Sequence, residues 1–518
     1  MDRWLTKNVI ASGGIVLSDD VLEQGETMPG SGRSIINYEP AASRGYRKVS
    51  GYVKYDDEEV PGDAEAPILM AEPALGRVLA CRLDDGSYDI QESFQSGWTK
   101  VNSADRLETT TKARLTKYTM VTDRVCIVDG ANPALLYDGT TPTELTSVGA
   151  PTAPVSVAYF RDRLAFAEDS LLTLTAPSTD NDFDSSNGAL VFNVGQPILG
   201  LAMFREILYI FCENSIQKLV GNTSDNFEIQ SVTTQIGCVD QDTIQEVGGD
   251  IAYLAPDGIR SLAATERIGD VELGVQSRAV DVIIRDMFAA SPATFSTCTI
   301  PSKSQYRLFY YQQGVDPSSQ MGILGRYDTA DKIAIRNPIL NSSNFQWTEV
   351  LGFPAYSSGS FFINGSEIAV FGHISDGFVY RMEVGGSRDG DVISFEWKTP
   401  PFKFEDINLR KVIHRIRAVV EAKQATGISV RVLLDEYEIE PIQPIGKILN
   451  ISGEGALYDD GNLYDSGFTY SEVGREYLVS RKLEGSGKTI TFIFSGSNTD
   501  LPHQLNSFTL EYALKGRR

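Results

Sequence analysis

Along the middle of the chain, short apolar or alternating runs recur. Each runs into a turn rich in Asp, Asn, Ser and Gly, and a second short run follows. The first copy spans residues 77–83, turns at Asp84-Asp85-Gly86 and resumes at Ser87-Tyr88-Asp89-Ile90. The second begins at Arg124 and reaches Leu135-Leu136-Tyr137 and Asp138-Gly139. The third covers residues 163–172, and the fourth, starting at Ile207, turns at Glu213-Asn214-Ser215. The fifth turns at Pro256-Asp257-Gly258, a less regular sixth starts at Tyr306, and the seventh turns at Ser375-Asp376-Gly377. Asp-Gly and Asn-Ser pairs place positive-φ residues where a tight hairpin needs them. The flanking β-branched and aromatic residues suit strands. Copies follow each other at about 40–60 residues, near the period of a four-stranded propeller blade. One blade cannot bury its own faces, so several must pack in a ring. A string of β-sandwich domains would need linkers that the repeat lacks. The expected fold is therefore mainly β: a six- or seven-bladed β-propeller, in which each hairpin forms the exposed half of a blade.

The ends read differently. Residues 1–50 are rich in Gly, Ser and charge and predict an N-terminal arm. The ring is expected over 51–390. It carries a helical insertion near 277–289, where Ser277 would cap and Val280, Ile283, Ile284 and Met287 share one face. Packing against the core explains that face as well as a partner would. From 391 to 518 the hairpins give way to longer alternating strands around residues 412–420, 428–434, 489–494 and 508–512. Their alternation predicts half-buried strands of a second, β-sandwich-like domain.

Charge changes the picture. The chain has 69 acidic and 46 basic residues, a formal net charge of −23. A protein that reads nucleic acid usually carries a basic patch, and the overall balance here points the other way. Solubility explains such acidity; so does a surface that must let a polyanion pass without holding it. The five cysteines, Cys81, Cys126, Cys212, Cys238 and Cys298, are far apart and mostly set in apolar runs. They read as buried free thiols of a reducing compartment. The first residues lead into no apolar h-region, so no signal peptide is expected, and no run approaches the length of a membrane span.

Searching for chemistry leaves no catalytic, cofactor-binding or metal-ligating residue. Gly485-Ser486-Gly487-Lys488-Thr489 resembles the end of a P-loop, but Lys482 stands where the pattern needs Gly and a strand follows instead of a helix. Asp180-Asn181-Asp182-Phe183-Asp184 starts like a calcium loop, yet Ser185 and Val191 occupy the positions of its glycine and closing acid. His373, His414 and His503 are scattered. Ser96-Gly97-Trp98-Thr99 lacks the Asp of a sialidase box. The residues singled out are structural: the hairpin turns at Asp85, Gly86, Asp138, Gly139, Asn214, Asp257, Gly258, Asp376 and Gly377.

Several segments, in order along nearly the whole chain, carry a further signal. They include Asn37-Tyr38-Glu39-Pro40 with Gly45-Tyr46-Arg47-Lys48-Val49-Ser50-Gly51-Tyr52, and Phe204-Arg205-Glu206-Ile207 with Asn214-Ser215-Ile216. Ile236-Gly237-Cys238 with Val247-Gly248-Gly249-Asp250, Trp397-Lys398-Thr399-Pro400, Tyr458-Asp459-Asp460-Gly461-Asn462-Leu463-Tyr464-Asp465 and the ending from Leu510 to Arg518 complete the set. Together they resemble the tail hub or nozzle proteins of short-tailed bacteriophages. The resemblance implies a non-enzymatic virion protein without cofactor, assembled in the host cytoplasm. It implies that the N-terminal arm (1–50) and the C-terminal region (391–518) together build a platform or docking domain, and that the protein is a homo-hexamer docked to the adaptor (head-to-tail connector) ring and contacting tail fibres or spikes. Double-stranded DNA would pass through its lumen without sequence-specific binding. The competing expectation is a propeller that binds or cleaves host-surface glycans, with clustered aromatics and paired carboxylates at the ring mouth.

Overall fold

A computed structural model describes residues 4–102, 106–107, 112–262, 275–289, 293–312, 314–327, 345–404, 406–436, 446–451, 455–456, 469–470 and 475–515. The segments Tyr458–Asp465 and 516–518 noted above lie outside them. The chain forms a β-propeller. Among the described residues, six blades carry four or five strands each, and a three-stranded sector completes the ring. The blades start with the strands Ile68–Ala74, Arg114–Thr119, Ser156–Phe160, Ile198–Phe204, Ala293–Ile300 and Ala355–Ile363; the sector, Gln245–Val247 to Gly258–Ser261, lies between the fourth and fifth. Within each blade the strands pair antiparallel. The sixth blade is finished by Tyr52–Lys54, which precedes the first blade and pairs with Val379–Met382 (Tyr52↔Met382, Lys54↔Tyr380). The last blade therefore closes on the chain's own early segment.

Apolar residues are distributed in layers between blades rather than in one central core. One layer joins the sixth blade to the first, through Val370, Val379, Ile68 and Val78. Others lie between first and second, second and third, third and fourth, and between the fourth and the three-stranded sector. Each cysteine is buried in a different inter-blade layer: Cys81, Cys126, Cys212, Cys238 and Cys298. Burial raises their thiol pKa, to about 12 for Cys238 and Cys298, so they act as small apolar fillers.

The recurring hairpin is the middle pair of strands, not the exposed half of a blade. Arg77–Asp84 and Ile207–Cys212 are almost wholly buried, because each is flanked by strands on both sides and by blades on both faces. The tightest repeated turn lies one step earlier, between first and second strands. Leu75-Gly76, Arg161-Asp162, Arg205-Glu206, Gly248-Gly249 and Asn364-Gly365 all have both φ values positive, as a two-residue type I′ hairpin requires. The helix Asp281–Ala289 buries Ile283, Ile284 and Met287 as its pattern predicts. Ser277 makes no side-chain cap; its hydroxyl instead accepts the backbone N–H of Ile259 at 2.9 Å.

Both chain ends meet in two further sheets. One places Leu5–Ile10, Tyr38–Pro40 and Tyr46–Lys48 with Arg410–Ala422, Arg475–Lys482 and Gln504–Lys515. The other runs from the fifth blade through Ser34–Ile36 to Ile393–Lys398, Ile490–Asn498, Thr426–Leu434 and Lys447–Ile451, nine strands in all. Their facing sides share a core in which buried Trp397 stacks on Phe494 and meets Phe508 and Tyr46 edge-on. Between ring and sandwich sits Lys48, fully buried. Its ammonium donates to the carbonyls of Gly386, Asn498 and Asp500 and to Asn498 Oδ1, at 2.7–3.1 Å. Burial lowers its pKa to about 8. Nearby, His503 Nε2 lies 2.8 Å from the Tyr38 hydroxyl, and burial, reinforced by Lys48, lowers its pKa to about 3.

Replacing Lys48 with Met leaves four oxygens without a donor. The expected loss is about 3 kcal/mol in urea unfolding. His503 is neutral in the fold and protonated in the unfolded chain below its ordinary pKa, near 6.5. Acidification from there toward pH 4 therefore favours unfolding through this group, by about 1.4 kcal/mol per pH unit. His503→Gln keeps the acceptor for Tyr38 and should remove that part of the slope in unfolding curves measured between pH 7 and 4.

Candidate functional site: the ring axis

The innermost strands of the blades, and the Gln241–Thr243 turn before the sector, converge on the axis. Their chemistry is mixed. The first blade contributes Glu72, the second Lys112, Arg114, Thr116 and Lys117, and the fifth and sixth contribute Ser296, Thr297, Ser357 and Ser358. Asp242 is the hub. Arg114 reaches it as a fork, Nε to Oδ1 at 2.6 Å and Nη2 to Oδ2 at 3.1 Å, and Lys112 Nζ lies 3.2 Å from Oδ2. Burial alone would raise the Asp242 pKa, but Arg114 and Lys112 outweigh it and hold it at about 2. Asp240 accepts the backbone N–H of Asp242 at 2.8 Å and so shapes the turn that presents it. Its own pKa is raised, by burial and by Asp242.

A second pair lies beside the first. Lys117 Nζ is 3.7 Å from Glu72 Oε2. Glu72 is surrounded by protein, which pushes its pKa to about 7 against the pull of Lys117, and burial lowers the pKa of Lys117. A Cβ at position 359 would collide with this carboxylate, so Gly359 makes its place. Hydroxyls tie the blades together. Ser357 donates to Ile68 O at 2.7 Å, Thr116 to Val157 O at 2.6 Å, and Thr297 to Asp242 O. The cavity left on the axis is about 180 Å³, room for a few waters at about 30 Å³ each. A DNA duplex, whose major groove alone is about 12 Å wide, cannot pass. Among the described residues, the axis is lined by paired charges around this small cavity.

The residues expected from sequence fall elsewhere, on the blade turns. Asp85-Gly86, Asn214, Asp257-Gly258 and Asp376-Gly377 join second to third strands. Asp257 grips Arg260 Nε at 2.8 Å, and Asp376 accepts the Phe378 N–H and the Tyr380 hydroxyl. Asp138-Gly139 joins third to fourth strands, because the second blade connects its middle strands through the longer loop around Asp129. There Asp138 accepts the N–H groups of Thr140 and Thr141. The P-loop-like residues Lys488 and Thr489 donate backbone N–H groups to Asp435 Oδ1 and lead into the strand Ile490–Asn498. Asp184 caps a short 3₁₀ turn through the Ser186 N–H, and Asp180 pairs with Arg124 at 2.6 Å. His373 Nδ1 accepts the Ser375 and Asp376 N–H groups, and His414 stacks on Trp4. Among the described residues, no cluster of three or more His, Cys, Asp or Glu could hold a metal, and no helix is long and apolar enough to cross a membrane.

No family model and no curated protein matches the chain. Among solved structures it is similar to the extracellular domain of a one-component system from B. thetaiotaomicron, over 65% of this chain and 41% of that one, at 9% sequence identity and a TM-score of 0.39.

If the axis is a structural plug, Asp242→Ala leaves two cations buried without their anion. Thermal or urea unfolding should show a loss of about 3–5 kcal/mol. Asp123→Ala, at an exposed position of the second blade, should stay within about 0.5 kcal/mol.

Proposed function

We propose that the chain is a structural protomer of a short bacteriophage tail. Six copies form a ring-shaped nozzle or hub that docks under the adaptor ring, contacts tail fibres or spikes, and seals and then conducts double-stranded DNA. The observation that carries this reading is the closed axis. A propeller whose centre holds about 180 Å³ and is filled by paired charges offers no path of its own, so a conduit must lie between copies. A sandwich built from both chain ends suits such a ring, and the segments that resemble tail hub proteins, in order along the chain, support the same reading.

The net charge of −23 then acquires a mechanism. A lumen lined with Asp and Glu repels phosphates and avoids the counterion release that would trap DNA. Transit is fast because nothing holds the duplex. The assembled protein, mixed with linear duplex DNA in a mobility-shift assay, should retain none at low or physiological salt. Tight binding that weakens steeply with salt would contradict the acidic conduit.

A further inference from the structure

One end of the ring carries a second, larger cavity. Each blade begins with its innermost strand, so all the turns from first to second strand converge at the same end. There the turns of the sixth, first and second blades, with Tyr159 of the third, enclose about 580 Å³. That volume falls in the range of small-molecule sites. Its walls are aromatic. Phe361 and Phe362, at the tip of the sixth blade, are 44% and 50% exposed. Tyr159 and the ring of Tyr118 lie together, centroids 5.8 Å apart.

Two of these rings, Phe361 and Tyr159, are held by neighbouring groups of the protein. The Lys117 ammonium sits 4.2 Å from the centre of Phe361. The Tyr159 hydroxyl bonds Asp162 Oδ1 at 2.7 Å and Thr119 O at 3.1 Å. The rim adds both donors and acceptors, in Arg124, Asp123 and the Asn364 amide. Aromatic walls fixed beforehand, under a rim of mixed polarity, match a molecule with flat C–H faces and a girdle of hydroxyls. A lipid chain would desolvate Lys117 and Arg124. A phosphate backbone would meet Asp123 beside the paired Asp162 and Asp180. An added peptide strand would need a free sheet edge, and here the tips are closed hairpins.

We propose that this cleft is a saccharide-binding site, taking a neutral hexose or N-acetylhexosamine oligosaccharide with a pyranose ring seated against Phe361, Phe362 and Tyr159. It is a binding site: the neighbouring carboxylates Glu72 and Asp180 are committed to Lys117 and Arg124, and the rim carboxylate Asp123 accepts the Thr119 hydroxyl. The site is complete within one copy, so it stands or falls independently of the ring assembly.

The test is a glycan array carrying neutral hexose and N-acetylhexosamine oligosaccharides beside sialylated ones, probed with the full chain, with the best neutral hit then titrated by calorimetry. Binding to neutral oligosaccharides is expected. Phe361→Ala and Phe362→Ala should each weaken it by about tenfold. Phe361→Leu and Phe362→Leu keep apolar bulk, lose the flat ring, and should weaken it in the same direction. Leu478→Ala, at a 68% exposed position on the sandwich, should bind as the wild type. No neutral oligosaccharide bound, binding confined to sialylated glycans, or full affinity in the folded Leu variants would each overturn the proposal.

Discussion

Lys48 shows why ring and sandwich form one body. A buried ammonium is costly unless its donors are satisfied, and the oxygens that satisfy this one come from distant segments: Gly386 just beyond the last ring strand, and Asn498 and Asp500 in the sandwich. Lys48 itself lies four residues before Tyr52, where the closing strand of the ring begins. Any opening of the sixth blade or of the sandwich strips acceptors from the ammonium. The same logic repeats next to it. Buried Glu39 of the N-terminal segment holds Lys303 at 2.7 Å and Arg307 at 3.3 Å, and both cations also hold Glu383. That pairing, led by Arg307, keeps the Glu383 pKa depressed despite burial. Closure of the ring is thus coupled to folding of the platform.

What could be read from sequence follows from range. Hairpins are local, so the blade strands and the turns at Asp85-Gly86 or Asp376-Gly377 are visible as alternation broken by turn residues. The helix over 281–289 is equally local. The repeated first turns are harder: Arg161-Asp162 and Arg205-Glu206 take positive φ without a glycine, and tertiary pairing of the flanking strands imposes it. The hairpin of the three-stranded sector is as legible as those of the blades, as the fifth copy turning at Pro256-Asp257-Gly258. Charge pairing is invisible for a different reason. Arg114 and Asp242 are 128 residues apart, and in a chain with 69 acids nothing marks Asp242 as the hub. Lys48 likewise reads as one more surface cation.

The charge distribution also orders the functional argument. Cations are scarce in this chain, and many are spent internally: Lys112, Arg114 and Lys117 at the axis, Lys48, Lys303 and Arg307 at the junction, Arg106 on buried Asp129. Pairing them inside the fold leaves the outer surface richer in acid than the composition alone suggests. Such a surface is suited to bordering a passing polyanion, while the axis of the propeller itself is occupied by paired charges. The aromatic cleft lies at one ring mouth and joins the axial charges through Lys117, which pairs with Glu72 and sits on Phe361.

The central claim is that the conduit lies between copies and not through the propeller. Electron microscopy of the purified chain assembled in solution tests it most directly. The account predicts a closed ring of six copies around an open lumen wide enough for a DNA duplex, with density filling each propeller axis. A monomer or a trimer, or an open channel through the propeller itself, would contradict it.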